Sequence, residues 1–174
     1  MKNPFVITAL AMGALTGLAV LAFTLAIHAW GLNPLGKHAL LFLPVHAMGL
    51  ILGFRYYRDH LNGGLLGGAQ AVSLGVIANL GASVAYGLLF YAWLRWASPG
   101  ILHTHQAAMR NRLLADKEII VNNPDYGQKF LDESLAAIPK MTVSEAAWSD
   151  FKKVSGVGLV LGIAVGLFFR KKAR

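Results

Sequence analysis

Residues 55–87 read RYYRDHLNGGLLGGAQAVSLGVIANLGASVAYG, and the fold turns on how this stretch is read. Its first ten residues carry Arg55, Arg58 and Asp59 and close on Asn62-Gly63-Gly64, residue types that reverse a chain at a polar boundary. An uncharged apolar run follows, in which Gly63, Gly67, Ala71, Gly75, Asn79, Ser83 and Gly87 recur every fourth residue. On a helix that spacing gathers small and polar side chains into one row, and in lipid a second helix backbone can approach closely along such a row. The stretch is therefore expected to be a basic turn leading into a central membrane-crossing helix.

Working outward, the chain of 174 residues is 56 % hydrophobic with a mean hydropathy of +0.53, too apolar for an ordinary water-soluble domain. Four runs, Phe5 to Trp30, Ala39 to Phe54, Leu65 to Leu94 and Val154 to Phe169, contain no Asp, Glu, Lys or Arg. A bilayer crossing needs roughly 20 apolar residues, so the second and fourth runs must borrow from their flanks. The expected architecture is all-α and polytopic: one membrane domain with spans at about residues 5–30, 37–54, 64–96 and 148–170, and a small extracytoplasmic helical segment at 97–147. Lys2 followed by an apolar run resembles a secretory signal, but the run outlasts the ~7 to 15 residues of a signal core and no small-x-small site closes it.

The net charge of +8 is not a nucleic-acid footprint. Residues 97–153 hold seven basic residues (Arg110, Arg112, Lys117, Lys129, Lys140, Lys152, Lys153) and seven acidic ones, so the excess flanks the apolar runs. With four spans, Lys2, Arg55, Arg58, Arg170, Lys171, Lys172 and Arg174 share one side, against Lys37 and Arg95 on the other. The positive-inside rule then places both termini in the cytoplasm of a bacterial inner membrane, with anionic lipid headgroups as partners of the basic side. Trp30, Trp93, Trp96 and Trp148 fall together at the opposite interface, where a ring can be buried while its N–H stays wet.

Local signals fill in the rest. Ala9, Gly13 and Gly17 form a row on the first helix, which should stop at Gly31. Pro44 should kink the second helix. The third, from Gly63 or Gly64 to about Trp96, would be ~48 Å long at ~1.5 Å per residue, more than the ~30 Å hydrocarbon core. Ser98-Pro99 opens an outer helix with a seam of Leu102, Met109, Leu113 and Ile120, and Asn123-Pro124 opens a shorter one. Thr142-Val143-Ser144-Glu145 is a capping box, so the last helix starts outside the apolar run and continues through Gly158, Gly162 and Gly166. Gly13, Gly17, Gly67, Gly75, Gly158, Gly162 and Gly166 are the expected helix-packing positions, within the bundle or at a dimer seam.

Three polar residues, Thr16, His46 and Asn79, fall nearest mid-depth on three different helices and form a candidate intramembrane cluster. An imidazole in hydrocarbon needs a partner, so the cluster is either a hydrogen-bonded clasp or a ligand or proton site. The lack of a carboxylate in the apolar runs speaks against proton-coupled transport. His28, His38, His46, His103 and His105 lie toward the outer half, but no His-x-x-x-His pair exists and His46 has no obvious mate at its depth, so neither metal nor haem is expected. Cysteine is absent, and with it thiolate metal sites and disulfides. No nucleophile with a base and no phosphate loop appears, so neither catalytic residues nor a cofactor are assigned.

Arg55-x-x-Arg58-Asp59, Asn62-Gly63-Gly64, Gly67-Gly68, Ala71 and Gly75 together resemble a bacterial family of four-helix inner-membrane proteins known only as a domain of unknown function, numbered four-one-nine-nine. The resemblance extends to the aromatics Tyr91 and Trp93 ending the third helix and to a glycine-rich last helix with basic residues after it. It implies a fold and a membrane but no activity. The expected role is a non-enzymatic scaffold or accessory subunit, partnered by other membrane subunits or by a second copy; the alternative is a small-molecule or ion binder or transporter using Thr16, His46 and Asn79.

Overall fold

The structure, a computed structural model, describes residues 4–36 and 39–171. Lys2, Lys37, His38, Lys172 and Arg174, on which part of the charge and histidine readings rest, lie outside the described residues. The helices are α1 (Pro4–Ala29), α2 (Leu43–Tyr56), α3 (Gly68–Ala92), α4 (Gly100–Ala115), α5 (Lys117–Val121), α6 (Gly127–Ala137) and α7 (Val143–Phe169). With their continuous extensions, four stretches are long and apolar enough to cross a membrane: Pro4–Ala29, Leu40–Leu61, Gly68–Ala97 and Val143–Phe169. Only 22–39 % of the apolar window in each is buried within the chain. Leu15, Leu88, Val160 and Phe168 stand 67–84 % exposed on the outside of the bundle, a surface suited to lipid rather than water.

The four long helices form a ring in which α3 lies between α1 and α7, and α2 closes against both of those. Small residues set the spacing. A Cβ on Gly13 would collide with the Ala78 carbonyl oxygen, and one on Gly17 with that of Ala82, so α1 and α3 run side by side at backbone contact. Gly75 faces Gly162 and Gly166 faces Ala71 in the same way, which fixes the antiparallel register of α3 and α7. Close backbones gain dispersion contacts that lipid tails cannot supply. Gly67 does not belong to this set: it is the extended residue before α3 (φ −65°, ψ 155°), and a Cβ there would meet nothing within 4 Å. The row of small residues begins to pack only at Ala71, where the helix has turned it toward α7.

Three other expectations need correcting. Arg55 to Leu61 are helical rather than a turn, because no helix breaker precedes Asn62: α2 runs on into a wider-wound turn at Tyr57–Leu61, and reversal is left to Gly63 (φ 58°) and Gly64 (φ 76°). Pro44 sits in the first turn of α2, where its missing N–H costs no helix bond, and does not kink the helix. The helix opened by Ser98-Pro99 is interrupted at Asp116 between α4 and α5. The capping box forms as read, with Glu145 N–H donating to Thr142 Oγ1 at 3.2 Å and Thr142 N–H to Glu145 Oε2 at 2.7 Å.

The two ends of the bundle differ. At the turn end, Leu66 and Lys171 exchange backbone hydrogen bonds of 2.8 Å, Arg58 grips Asp59 through two nitrogens, and the Arg58 guanidinium lies 5.4 Å above the Phe169 ring. Tyr57 accepts a hydrogen bond from Gln70 and packs edge-on against Phe5. The opposite, insertion end carries α4 to α6. Its core joins Phe42, Tyr86, Phe90, Leu94, Ile101, Leu102, Ala146 and Val154.

Candidate functional site

The bundle brings two of the three mid-depth polar residues together. His46 is fully buried, and its Nε2 and Asn79 Oδ1 both converge on the space left by the missing side chain of Gly158. The imidazole meets the Asn79 amide. Asn79 Nδ2 donates to the Ser155 carbonyl at 2.9 Å. Among the described residues, both ring nitrogens of His46, Asn79 Oδ1 and Ser83 Oγ have no hydrogen-bond partner. Thr16 is turned elsewhere, against Gly49, and donates to the Met12 carbonyl at 3.0 Å. The space beside Thr16 measures about 10 Å³, room for a water at most. His46 on α2 and Asn79 on α3 thus meet at the gap that Gly158 leaves on α7.

A second buried polar group was not anticipated. Asp150 lies inside the Val143–Phe169 stretch and is 3 % exposed, which corrects the expectation that no carboxylate enters a span. Tyr86 O–H donates to its Oδ2 at 2.5 Å, and the Thr24 hydroxyl from α1 sits beside the Tyr86 oxygen. Lys153 Nζ stands 3.7 Å from Asp150 Oδ1, beyond a full hydrogen bond. An ionisable group at such a position is rare and needs both a partner and a reason. The signal was in the sequence: Asp150, Val154, Gly158, Gly162 and Gly166 are spaced by four, so Asp150 shares the inward face of the glycine row.

On the other side of Lys153 is a cavity of about 780 Å³ at the insertion end. Its walls are the loop Gly31–Gly36, the α4 residues His105, Ala108, Met109 and Arg112, Met141, and the α7 residues Glu145, Ala146, Ser149 and Lys153. Gly31 (φ 78°) ends α1, and the Asn33 side chain then turns the loop by accepting from Leu35 N–H at 2.9 Å. Among the described residues Asn33 Nδ2 is buried without a hydrogen-bond partner, and His105 Nδ1 is in the same state. Burial, and secondarily the charge of Lys153, holds the His105 pKa below its ordinary value, so the ring is neutral. Glu145 Oε2 is spent on Thr142, while Arg112 reaches Asp116 only at 3.8 Å and is largely exposed.

A cavity of this size, with polar and charged side chains set among apolar ones, has the form of a small-molecule site. Among the described residues no three His, Asp or Glu side chains converge on a metal position. His28 stacks edge-on against Trp93, and His103 is exposed, so neither approaches His46.

A family model described as a protein of unknown function, DUF4199, matches residues 11–171. No curated protein and no solved structure matches the chain.

Proposed function

We propose that this chain, which belongs to the DUF4199 family, is a membrane-embedded binding protein without catalytic activity that holds a small ligand in the cavity between Gly31–Gly36, α4 and α7. The cavity carries the reading. It is roomy enough for a small organic molecule, and Asn33, His105, Arg112, Glu145, Ser149 and Lys153 bring polar side chains to its walls.

The orientation belongs to the same reading. Arg55, Arg58, Arg170 and Lys171 gather at the turn end, while Trp30, Trp93 and Trp96 mark the insertion end. That distribution supports a bacterial inner-membrane protein with both termini in the cytoplasm and the cavity open to the outside. Exposed Arg55 and Tyr56 at the turn end would meet anionic lipid headgroups.

A second reading, an accessory subunit of a membrane complex, draws on the insertion segment. Leu114, Ile119, Tyr126 and Phe130 are 40–73 % exposed there, outside the spans, where apolar side chains favour a partner surface. Mild detergent extraction followed by native mass spectrometry tests both. The binding reading expects a small non-protein mass retained at one per chain and lost from Ala108→Trp, which fills the cavity. Retention of a stoichiometric protein partner with no small ligand would replace it with the subunit reading.

A further inference from the structure

We infer that the ligand of this cavity is an organic anion, a carboxylate or phosphate attached to a short apolar body, gripped by Lys153 and Arg112. The inference rests on the binding reading above and adds the chemistry of the ligand.

The unused hydrogen-bonding capacity of the walls is lopsided. Lys153 has three N–H donors and lies 3.7 Å from its one carboxylate neighbour, so none of them is committed at hydrogen-bond distance. Arg112 brings a guanidinium whose contact with Asp116 is 3.8 Å, leaving the fork free to take two oxygens side by side. Against these donors stands Glu145, one of whose oxygens already accepts twice from Thr142. A ligand rich in acceptors satisfies such a wall, whereas a cation would face both Lys153 and Arg112.

Two features leave the charge of Lys153 available at the cavity wall. Asp150 sits behind it, buried and tied to Tyr86, so it anchors the lysine by charge without closing around it. The neutral His105 ring in front adds no competing charge. Leu32, Leu35, Met109, Met141 and Ala146 line the remaining wall and suit a chain of a few carbons.

The test uses the full chain in phosphatidylcholine nanodiscs, titrated calorimetrically with hexyl phosphate, hexanol and hexylammonium. Saturable one-to-one binding of hexyl phosphate, at least tenfold tighter than either of the others, is expected. Lys153→Gln should weaken it about tenfold. Arg112→Gln, at an exposed position that cannot unfold the bundle, should weaken it severalfold. Adding phosphatidylglycerol to the discs separates the sources: competition with hexyl phosphate means a lipid headgroup, no competition means a free solute. Equal binding of hexanol or hexylammonium, or full affinity in both variants, overturns the anion and leaves the binding reading standing. If no probe saturates and native mass spectrometry finds no retained small mass, the binding reading falls as well.

Discussion

Tyr86 and Asp150 hold hands across the interface between α3 and α7, the phenol donating to the carboxylate within a shell of Thr24, Val154 and Phe90. Like Asn79 on the Ser155 carbonyl, the pair places a polar contact in an interface packed mostly by small and apolar residues. Removing one partner and removing the demand for one should have unequal effects. Tyr86→Phe strands a buried carboxylate and should lower stability by ~3–5 kcal/mol, whereas Asp150→Asn keeps an acceptor for the phenol and should cost only ~1–2 kcal/mol. Thermal unfolding of both variants in detergent, followed by tryptophan emission, checks the order. Equal losses would mean that the carboxylate is not tied to Tyr86 as described.

The glycine contacts make a sharper prediction about position than about composition. Gly75→Leu drives a side chain into the Gly162 carbonyl and should part α3 from α7, with a stability loss of ~2–4 kcal/mol. Gly156→Ala lies on the same helix as Gly162 but opens onto free space, so it should be neutral or stabilise by up to ~1 kcal/mol through helix propensity. Melting temperatures and detergent resistance of the two variants, measured together, settle the matter.

His105 predicts a pH dependence. Its pKa is lowered in the folded protein by burial and by Lys153, so between that value and the ordinary ~6.5 the unfolded chain binds more protons than the folded one. Stability should therefore rise with pH across that window and fall on acidification below about 6.5. His105→Gln should flatten the slope. An unchanged slope in unfolding curves between about pH 4.5 and 7 would remove His105 from the account.

The proposed orientation is checked by reporters active on one side only. An alkaline phosphatase inserted between Asn123 and Pro124, in the loop between α5 and α6, should be active. The same reporter fused after Arg174 should be silent. The reverse pattern would place the cavity in the cytoplasm.

Local signals in the sequence were read well because each acts over a turn or two. The capping box needs only Thr142 and Glu145, and the membrane-crossing stretches only a long apolar run. The Arg55 to Leu61 segment misled because its charges suggest a turn, yet Arg55 and Arg58 flank Asp59 from within a helix and leave the reversal to the two glycines. Asp150 was passed over for a different reason. It stands beside Ser149, Lys152 and Lys153 in a polar opening turn, and only its two-turn offset from Gly158 reveals that it faces inward. The cavity had no local signature at all, since it exists where the loop after α1 meets α4, some seventy residues later in the chain. Nothing in either stretch alone encodes that meeting.

The backbone pairing of Leu66 with Lys171 joins residues on opposite sides of nearly the whole second half of the chain. A chain emerging from its N-terminus must therefore insert α1, α2 and α3 long before α7 exists. During that interval Gly13 and Gly17 can already seat against Ala78 and Ala82, but the Gly75 face of α3 waits in lipid with no helix to receive it. The last helix acts as a keystone. Its arrival covers that face, encloses Asp150 and His46, and seals the turn end, so the polar interior is assembled in a single late step rather than built up span by span.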